Sequence, residues 1–325
     1  MFLIATNVSI LVRVQTAFEQ MIRQNTVGSL EDEFYVLLAT TPDINPHAFE
    51  NNWPYIVQAT RNGFHVFRDA DAIVYYTHRY HGDPQSKTVV VHALGNGRHA
   101  AVVKFAQHEA NQGRSTLIKN IPSEDVSWWK DLGFRYPAEH WDEYNLYDDN
   151  TFPQYVSSVQ YIYDLKCKRD HRKAVHQFAR RRNIETSLYE DRYEADARGL
   201  LEMFARHLQE KGSASYIEAV RAHDFFFARS IVRKVRLQHV ENGVLVGCSF
   251  FTPVNAIVYY NALMNTSEDD IQKYLAHEAK MWVIRNYPHV THIVDQGSER
   301  PGQDWMKQRS SEQKIGDKVH LEYKA

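Results

Sequence analysis

One order of elements occurs twice in this chain, and it limits the fold more than any single motif does. Between residues 64 and 136, FHVFRD and AIVYYTHR read as neighbouring strands of a hairpin, and TVVVHAL reads as a buried strand rich in β-branched residues. That strand runs through GNGR into the helix HAAVVKFAQHEANQ, closed by Gly113, and STLIKNI is the next strand. Ser123 is placed to cap a short helix, EDVSWWKDLG, ending at Gly133-Phe134. After residue 230 the order returns. VRLQHVE, GVLVGCSFF and AIVYYNALM are strands, with turns at Asn242-Gly243 and Pro253-Val254-Asn255. Ser267 caps a helix expected from about Glu268 to Asn286, with Ile271, Leu275, Ala279 and Trp282 on one stripe, and VTHIV follows the breaker Tyr287-Pro288. Two copies of strand-strand-strand-helix-strand point to an internal duplication of one α/β module, with residues 1–150 and 151–325 as its halves.

Composition narrows the class. The 325 residues are 43% hydrophobic and 24% charged, with net charge −2, which suits a globular protein and argues against disorder. Cys167 and Cys248 form no C-x-x-C pattern, and the 17 histidines show no H-E-x-x-H spacing, so no metal site is expected and the histidines read as surface or core residues. The apolar start, MFLIATNVSILVRV, lacks a basic leader and is too short to span a bilayer, so it reads as a strand and a cytoplasmic location is expected.

The segment joining the halves, KCKRDHRKAVHQFARRRN (residues 166–183), carries a net +7, leaving −9 for the remainder. A helical wheel puts Ala174, Val175, Phe178 and Ala179 on one face, and Arg169, Arg172, Lys173, His176 and Arg180 on the other. Such a helix lies on the core by its apolar stripe and presents a basic ridge. The turn ALGNGRHA places two glycines between a strand and a helix, where backbone N–H groups can meet an anion or merely make a tight turn.

WWKDLGFRY, following a strand–glycine loop–helix unit, resembles the Y-x-x-x-G-F ending of the GCN5-related N-acetyltransferases (GNAT). The pyrophosphate loop of that family is degenerate here, since Ala93 and Leu94 stand where a basic residue and further glycine belong. In the second half YIYDLKCKRDHRKAVHQFARR, NALMN, a long helix and VDQGSERPGQDWMKQRSSE together resemble the tandem GNAT-fold aminoacyl transferases. These are the Fem-type peptidyltransferases and the catalytic domain of phosphatidylglycerol lysyltransferases. The resemblance implies two tandem GNAT-like modules with mixed sheets flanked by helices, and transfer of an amino acid from aminoacyl-tRNA, as co-substrate and without a cofactor, to an amine or hydroxyl. Since no membrane-spanning run is present, a small metabolite or peptide is the expected acceptor, as in natural-product biosynthesis.

The same resemblance implies the site. Lys307, after Gly297 and Gly302, is the expected oxyanion donor, with Asp295 and Glu299 holding an ammonium or acceptor amine. Tyr260, Asn261, Asn265, Gly297 and Ser298 are expected to line the substrate pocket, and Arg169, Arg172, Lys173, Arg180, Arg181 and Arg182 to meet tRNA phosphates. Each has a structural alternative: a surface lysine, a core tyrosine, a solvated charged helix face. Two rival functions are an acyl-coenzyme A-dependent N-acyltransferase, with coenzyme A at Gly95 and Gly97 or at the second strand-to-helix turn, and a non-catalytic RNA-binding protein of the same fold.

Overall fold

The computed structural model describes residues 27–59, 64–78, 87–137, 151–210, 226–228, 231–265, 271–295 and 310–324. The strand expected at the start, the Ser267 cap, and Gly297, Ser298, Glu299, Gly302 and Lys307 lie outside them. The first half contains α1 (Val27–Thr40), α2 (Trp53–Ala59), β1 (His65–Asp69), β2 (Ala72–His78), β3 (Lys87–Gly95), α3 (Arg98–Asn111), β4 (Ser115–Pro122) and α4 (Val126–Asp131). Then come β5 (Thr151–Ser158), α5 (Val159–Tyr163) and the basic helix α6 (Arg169–Arg181). The second half contains β6 (Ile184–Leu188), α7 (Glu194–Glu210), β7 (Val235–Glu241), β8 (Val244–Val254), β9 (Ile257–Asn265), α8 (Ile271–Asn286) and β10 (His292–Asp295), and β11 (Gln313–Tyr323) ends it. Both anticipated repeats are present. Sequence pattern missed α1, α2, β5, β6, α7 and β11, although Ala197, Leu200, Leu201 and Phe204 give α7 the i, i+3, i+4, i+7 spacing of a helix.

The strands form one mixed sheet, β1-β2-β3-β4-β11-β5-β10-β9-β8-β7-β6. The duplication is visible in its register. β3 runs parallel to β4 for four residues, ending at Val90↔Ile118, and β9 runs parallel to β10 for four, ending at Tyr260↔Asp295. One residue later each inner strand carries a bulge against its antiparallel neighbour, at Val91 in β3 and at Asn261 in β9. A bulge bends its strand, so at corresponding points β3 leaves β4 and β9 leaves β10.

The halves do not close separately. β11, from the end of the chain, hydrogen-bonds to β4 on one side and β5 on the other, while β5 pairs with β10. A single core joins them: Phe34, Trp53, Tyr75 and Leu117 share a cluster with Val156, Leu200, Phe250, Tyr259 and Val294. In β2, Ile73 and Tyr75 face this cluster while Ala72 and Val74 face the one under α3 and α4, so both sheet faces are covered and the strand reads as an unbroken apolar run. Tyr259 takes the core position and donates to Pro46 O at 2.8 Å, stitching the second half to the first.

The G-F signature has a local physical meaning. Gly133 takes φ +96°, and its N–H and that of Phe134 cap the Lys130 and Trp129 carbonyls at 3.1 Å each. This turns Phe134 back onto Trp129, edge-to-face at 5.0 Å, a pairing worth about 0.5–1.5 kcal/mol beyond its buried area. Ser123 opens a 3-10 turn (Ser123–Asp125) rather than capping α4 directly.

Candidate active site at the parting of β9 and β10

The wheel reading of α6 holds in part. Ala174 and Val175 are buried, and Phe178 stacks on Tyr274 of α8 at 6.3 Å. Ala179 is exposed, and His171 is buried in its stead. The buried stripe therefore runs 171, 174, 175, 178, the i, i+3, i+4, i+7 spacing of one face, displaced by a residue from the expected one. Arg169, Arg172, Lys173, Arg180 and Arg181 are exposed along the outer side. Arg182, just past the helix, is held by Glu241 of β7 through Nε at 2.5 Å and Nη2 at 2.6 Å, so its guanidinium is bound in a fork.

Asp295 is the last residue of β10, where β9 has turned away. It is buried, and its Oδ2 accepts from Lys280 Nζ of α8 at 2.6 Å. Ser311 Oγ stands 3.4 Å from the same oxygen, and the Ser311 carbonyl accepts from Tyr161 OH at 3.1 Å. Glu312 then ties the returning chain to β5, its Oε2 accepting from Ser158 N at 2.8 Å and Ser158 Oγ at 2.5 Å. The corresponding register position in the first half is Ile118, an apolar core residue. At this register position the second parting carries a charged pair and the first does not, though the first half has a buried carboxylate of its own, Glu50, paired with Lys318. Tyr260, Asn261 and Asn265 lie on the backbone of β9 here, Asn261 at the bulge itself.

Two histidines missed by sequence reading border the pair. Burial, then the Lys280 charge, pushes His171 down to about 4. Burial, then His171 and Lys280, pushes His277 of α8 to about 4. The available signal was positional: His171 lies three and four residues before the apolar Ala174 and Val175.

These values set an acid limit. A histidine neutral in the fold at pH 5 but charged when unfolded makes the unfolded chain bind the extra proton. Stability then falls as pH drops from 6.5, the unfolded value, toward the folded one. His171 and the fully buried His239, lowered by burial to about 3, each remove up to about 1.4 kcal/mol per pH unit in that window. Denaturant titrations followed by circular dichroism are expected to show stability declining steeply between pH 6.5 and 4. A flat profile there would show these imidazoles to be accessible to protons in the fold.

In the first half the glycine turn is occupied by the protein's own chain. Gly95 N–H donates to Thr41 Oγ1 at 2.8 Å, and Arg98 Nη1 donates to Pro42 O at 2.7 Å. A Cβ on Gly95 would stand 1.9 Å from Asp71 O, so that glycine is required by the approach of the β1–β2 turn. Gly97, at the N-cap of α3, has nothing within 4 Å of such a Cβ. Among the described residues, no group of histidine, cysteine and carboxylate side chains could hold a metal ion. No helix among them is long and apolar enough to cross a membrane.

The chain has a tandem GNAT-like fold, a mixed α/β sheet with two copies of the bulged, parting strand pair. Solved structures share this fold. A conserved protein of unknown function from Bacteroides thetaiotaomicron superimposes with a TM-score of 0.64 at 12% identity, covering 91% of this chain and 97% of that one. The C-terminal DUF2156 domain of a putative lysylphosphatidylglycerol synthetase from Agrobacterium fabrum gives 0.59 at 8% identity, covering 92% of each chain. FemX gives 0.58 at 10% identity, covering 91% and 96%. No family model and no curated protein sequence matches.

Proposed function

We propose that this chain is an acyltransferase that moves an aminoacyl group from aminoacyl-tRNA to the amine or hydroxyl of a soluble small-molecule or peptide acceptor. The observation that carries this is the buried Asp295–Lys280 pair at the parting of β9 and β10, with Lys280 on α8, the helix on which basic α6 packs through Phe178 and Tyr274. Fold likeness to FemX and to a lysylphosphatidylglycerol synthetase domain supports it. Aminolysis of an ester needs a positioned amine, a proton acceptor and a donor for the oxyanion, and no covalent enzyme intermediate. In this reading Asp295, fixed by Lys280, orients the incoming ammonium or amine. Lys307 and Glu299 come from the segment between β10 and Ser311 as oxyanion donor and second carboxylate. Tyr260, Asn261, Asn265, Gly297 and Ser298 shape the pocket. Arg169, Arg172, Lys173, Arg180 and Arg181 supply sequence-independent phosphate contacts, with Arg182 steadying the helix end through Glu241.

The coenzyme A reading is disfavoured in the first half because the Gly95 amide is already spent on Thr41. The test is to measure binding to charged total tRNA, uncharged tRNA and acetyl-coenzyme A, then transfer. Preferential binding of charged tRNA is expected, weakened about tenfold or more by Arg172→Glu with Arg180→Glu. Loss of transfer but not of binding is expected for Lys307→Met. Retained tRNA binding with no transfer to any amine would favour a non-catalytic RNA-binding protein. Binding of acetyl-coenzyme A with indifference to tRNA would overturn the proposal.

A further inference from the structure

The turn joining α5 to α6 sets one aromatic ring in water beside a run of cations. Ser158 caps α5, its Oγ accepting from Tyr161 N at 3.2 Å, and Ile162 shares a core cluster with Ala279 and Val283 of α8. The helix then ends in a tight reversal. Leu165 takes φ +49° and its N–H donates to Ile162 O at 3.2 Å, while Lys166 N–H donates to Tyr161 O at 3.2 Å. Tyr163, next to the buried Ile162, is carried outward by this end and is 64% exposed. The other large exposed aromatic side chains among the described residues have partners. Trp128 lies against His99 at 5.4 Å and Trp129 at 4.8 Å, and Lys130 Nζ sits over the Tyr136 ring at 4.3 Å. No ring or cation stacks on Tyr163 among the described residues.

The cations that follow are unpaired. Lys168, Arg169 and Arg172 are exposed, and among the described residues their side chains make no hydrogen bond or ion pair. The carboxylates of this stretch are Asp164 and Asp170. Lys166 holds Asp164 at 3.2 Å and Gln160 donates to it at 2.8 Å, and Asp170 stands in the first turn of α6. Tyr163 and Lys168 are five residues apart, so at most about 17 Å separates them. An open aromatic face beside unpaired cations fits a single-stranded nucleic acid, whose base stacks on the ring while the cations take the flanking phosphates. A duplex keeps its base faces in its own stack and offers this ring nothing. The turn also leads to the candidate site: Tyr161 OH donates to Ser311 O at 3.1 Å, and Ser311 Oγ stands 3.4 Å from Asp295 Oδ2.

We propose that Tyr163, with Lys168, Arg169 and Arg172, is a docking platform for the single-stranded 3′ end of the donor RNA, one base stacking on the exposed phenol ring. The inference rests on the function proposed above and deepens it: a base held at Tyr163 guides the terminal ester toward Asp295. The capped turn holds the ring in place before RNA arrives, so little freedom is lost on binding.

The test uses the full-length protein and three probes: a fluorescein-labelled single-stranded RNA ending in CCA, the same RNA annealed to its full complement, and vesicles of phosphatidylcholine with phosphatidylglycerol. Anisotropy reads RNA binding across a salt series, and sedimentation reads the vesicles. The single strand is expected to bind more tightly than the duplex. Tyr163→Ala is expected to weaken it about tenfold or more with the salt dependence unchanged, and Tyr163→Trp to keep it. Arg169→Ala is expected instead to flatten the log–log salt slope by about 0.7. Both side chains are exposed, and melting curves check that the variants fold. Wild-type affinity of the single strand for a folded Tyr163→Ala protein overturns the platform, and so does equal binding of the duplex. The proposed function then still stands if charged tRNA binds and is used. Vesicle binding that depends on Tyr163, with no RNA bound, makes this a membrane surface and overturns both.

Discussion

A chain lacking Gln313–Tyr323 is expected to show no cooperative unfolding transition in either half. Among the described residues β11 alone bridges β4 and β5 in the sheet order, and its removal leaves both with an unpaired inner edge. It also takes Val319 and Leu321 out of the core under α3 and α4, at about 1.5–3 kcal/mol each. A third loss is electrostatic. Lys318 Nζ lies 3.2 Å from Glu50 Oε1 in the interior, where Gln154 Nε2 also donates to Glu50 at 3.0 Å. Burial raises the Glu50 carboxyl, and Lys318, His92 and Gln154 outweigh that and hold it below its usual range. Without Lys318 an ionised carboxylate stays buried with its principal counter-charge gone, a loss of about 3–5 kcal/mol. Together these reach the net stability of an ordinary domain, about 5–15 kcal/mol. Guanidinium unfolding followed by fluorescence checks this, and a synthetic 310–325 peptide added in trans is expected to restore the transition. A truncated chain that unfolds sharply at the wild-type midpoint would show that the halves are self-sufficient.

Replacing Lys280 with methionine is expected to destabilise the protein by about 3–5 kcal/mol, because Asp295 is left charged in a buried site. Adding Asp295→Asn removes the orphaned charge and is expected to recover most of that loss. The pair of variants separates architecture from chemistry. If Asp295 positions the reacting amine, the doubly substituted protein regains its melting temperature but stays inactive in transfer assays. Recovery of activity along with stability would make the ion pair structural, and would move the site elsewhere. A Lys280→Met protein as stable as wild type would show that water reaches this pair in solution.

How much of this was legible beforehand can be followed residue by residue. The β-branched runs of β3, β8 and β9 and the helical stripes of α3 and α8 announced themselves, because each has enough regular apolar positions to exceed chance. Gly133-Phe134 announced a helix end, because few residues other than glycine take its φ of +96°. Asp295 drew notice as the point where an apolar strand stops. Lys280 did not: on a helix full of mixed residues, nothing in sequence says that a lysine points inward toward a carboxylate fifteen residues later. Gly95 looked like a ligand loop, while in the fold its lost side chain makes room for Asp71.

The sequence by itself determined the repeated strand-strand-strand-helix-strand unit, the Gly113 and Gly133 helix ends and the basic strip on α6, because those follow from local sterics, periodicity and charge within a dozen residues. Tertiary structure alone decided that β11 returns to lie between β4 and β5, that both halves share one sheet and one core, and that Lys280, Asp295 and Ser311 meet. Strand pairing and ion pairing over tens to hundreds of residues are set by which buried edges and charges remain to be satisfied once the local elements exist. No local stretch of sequence carries that information.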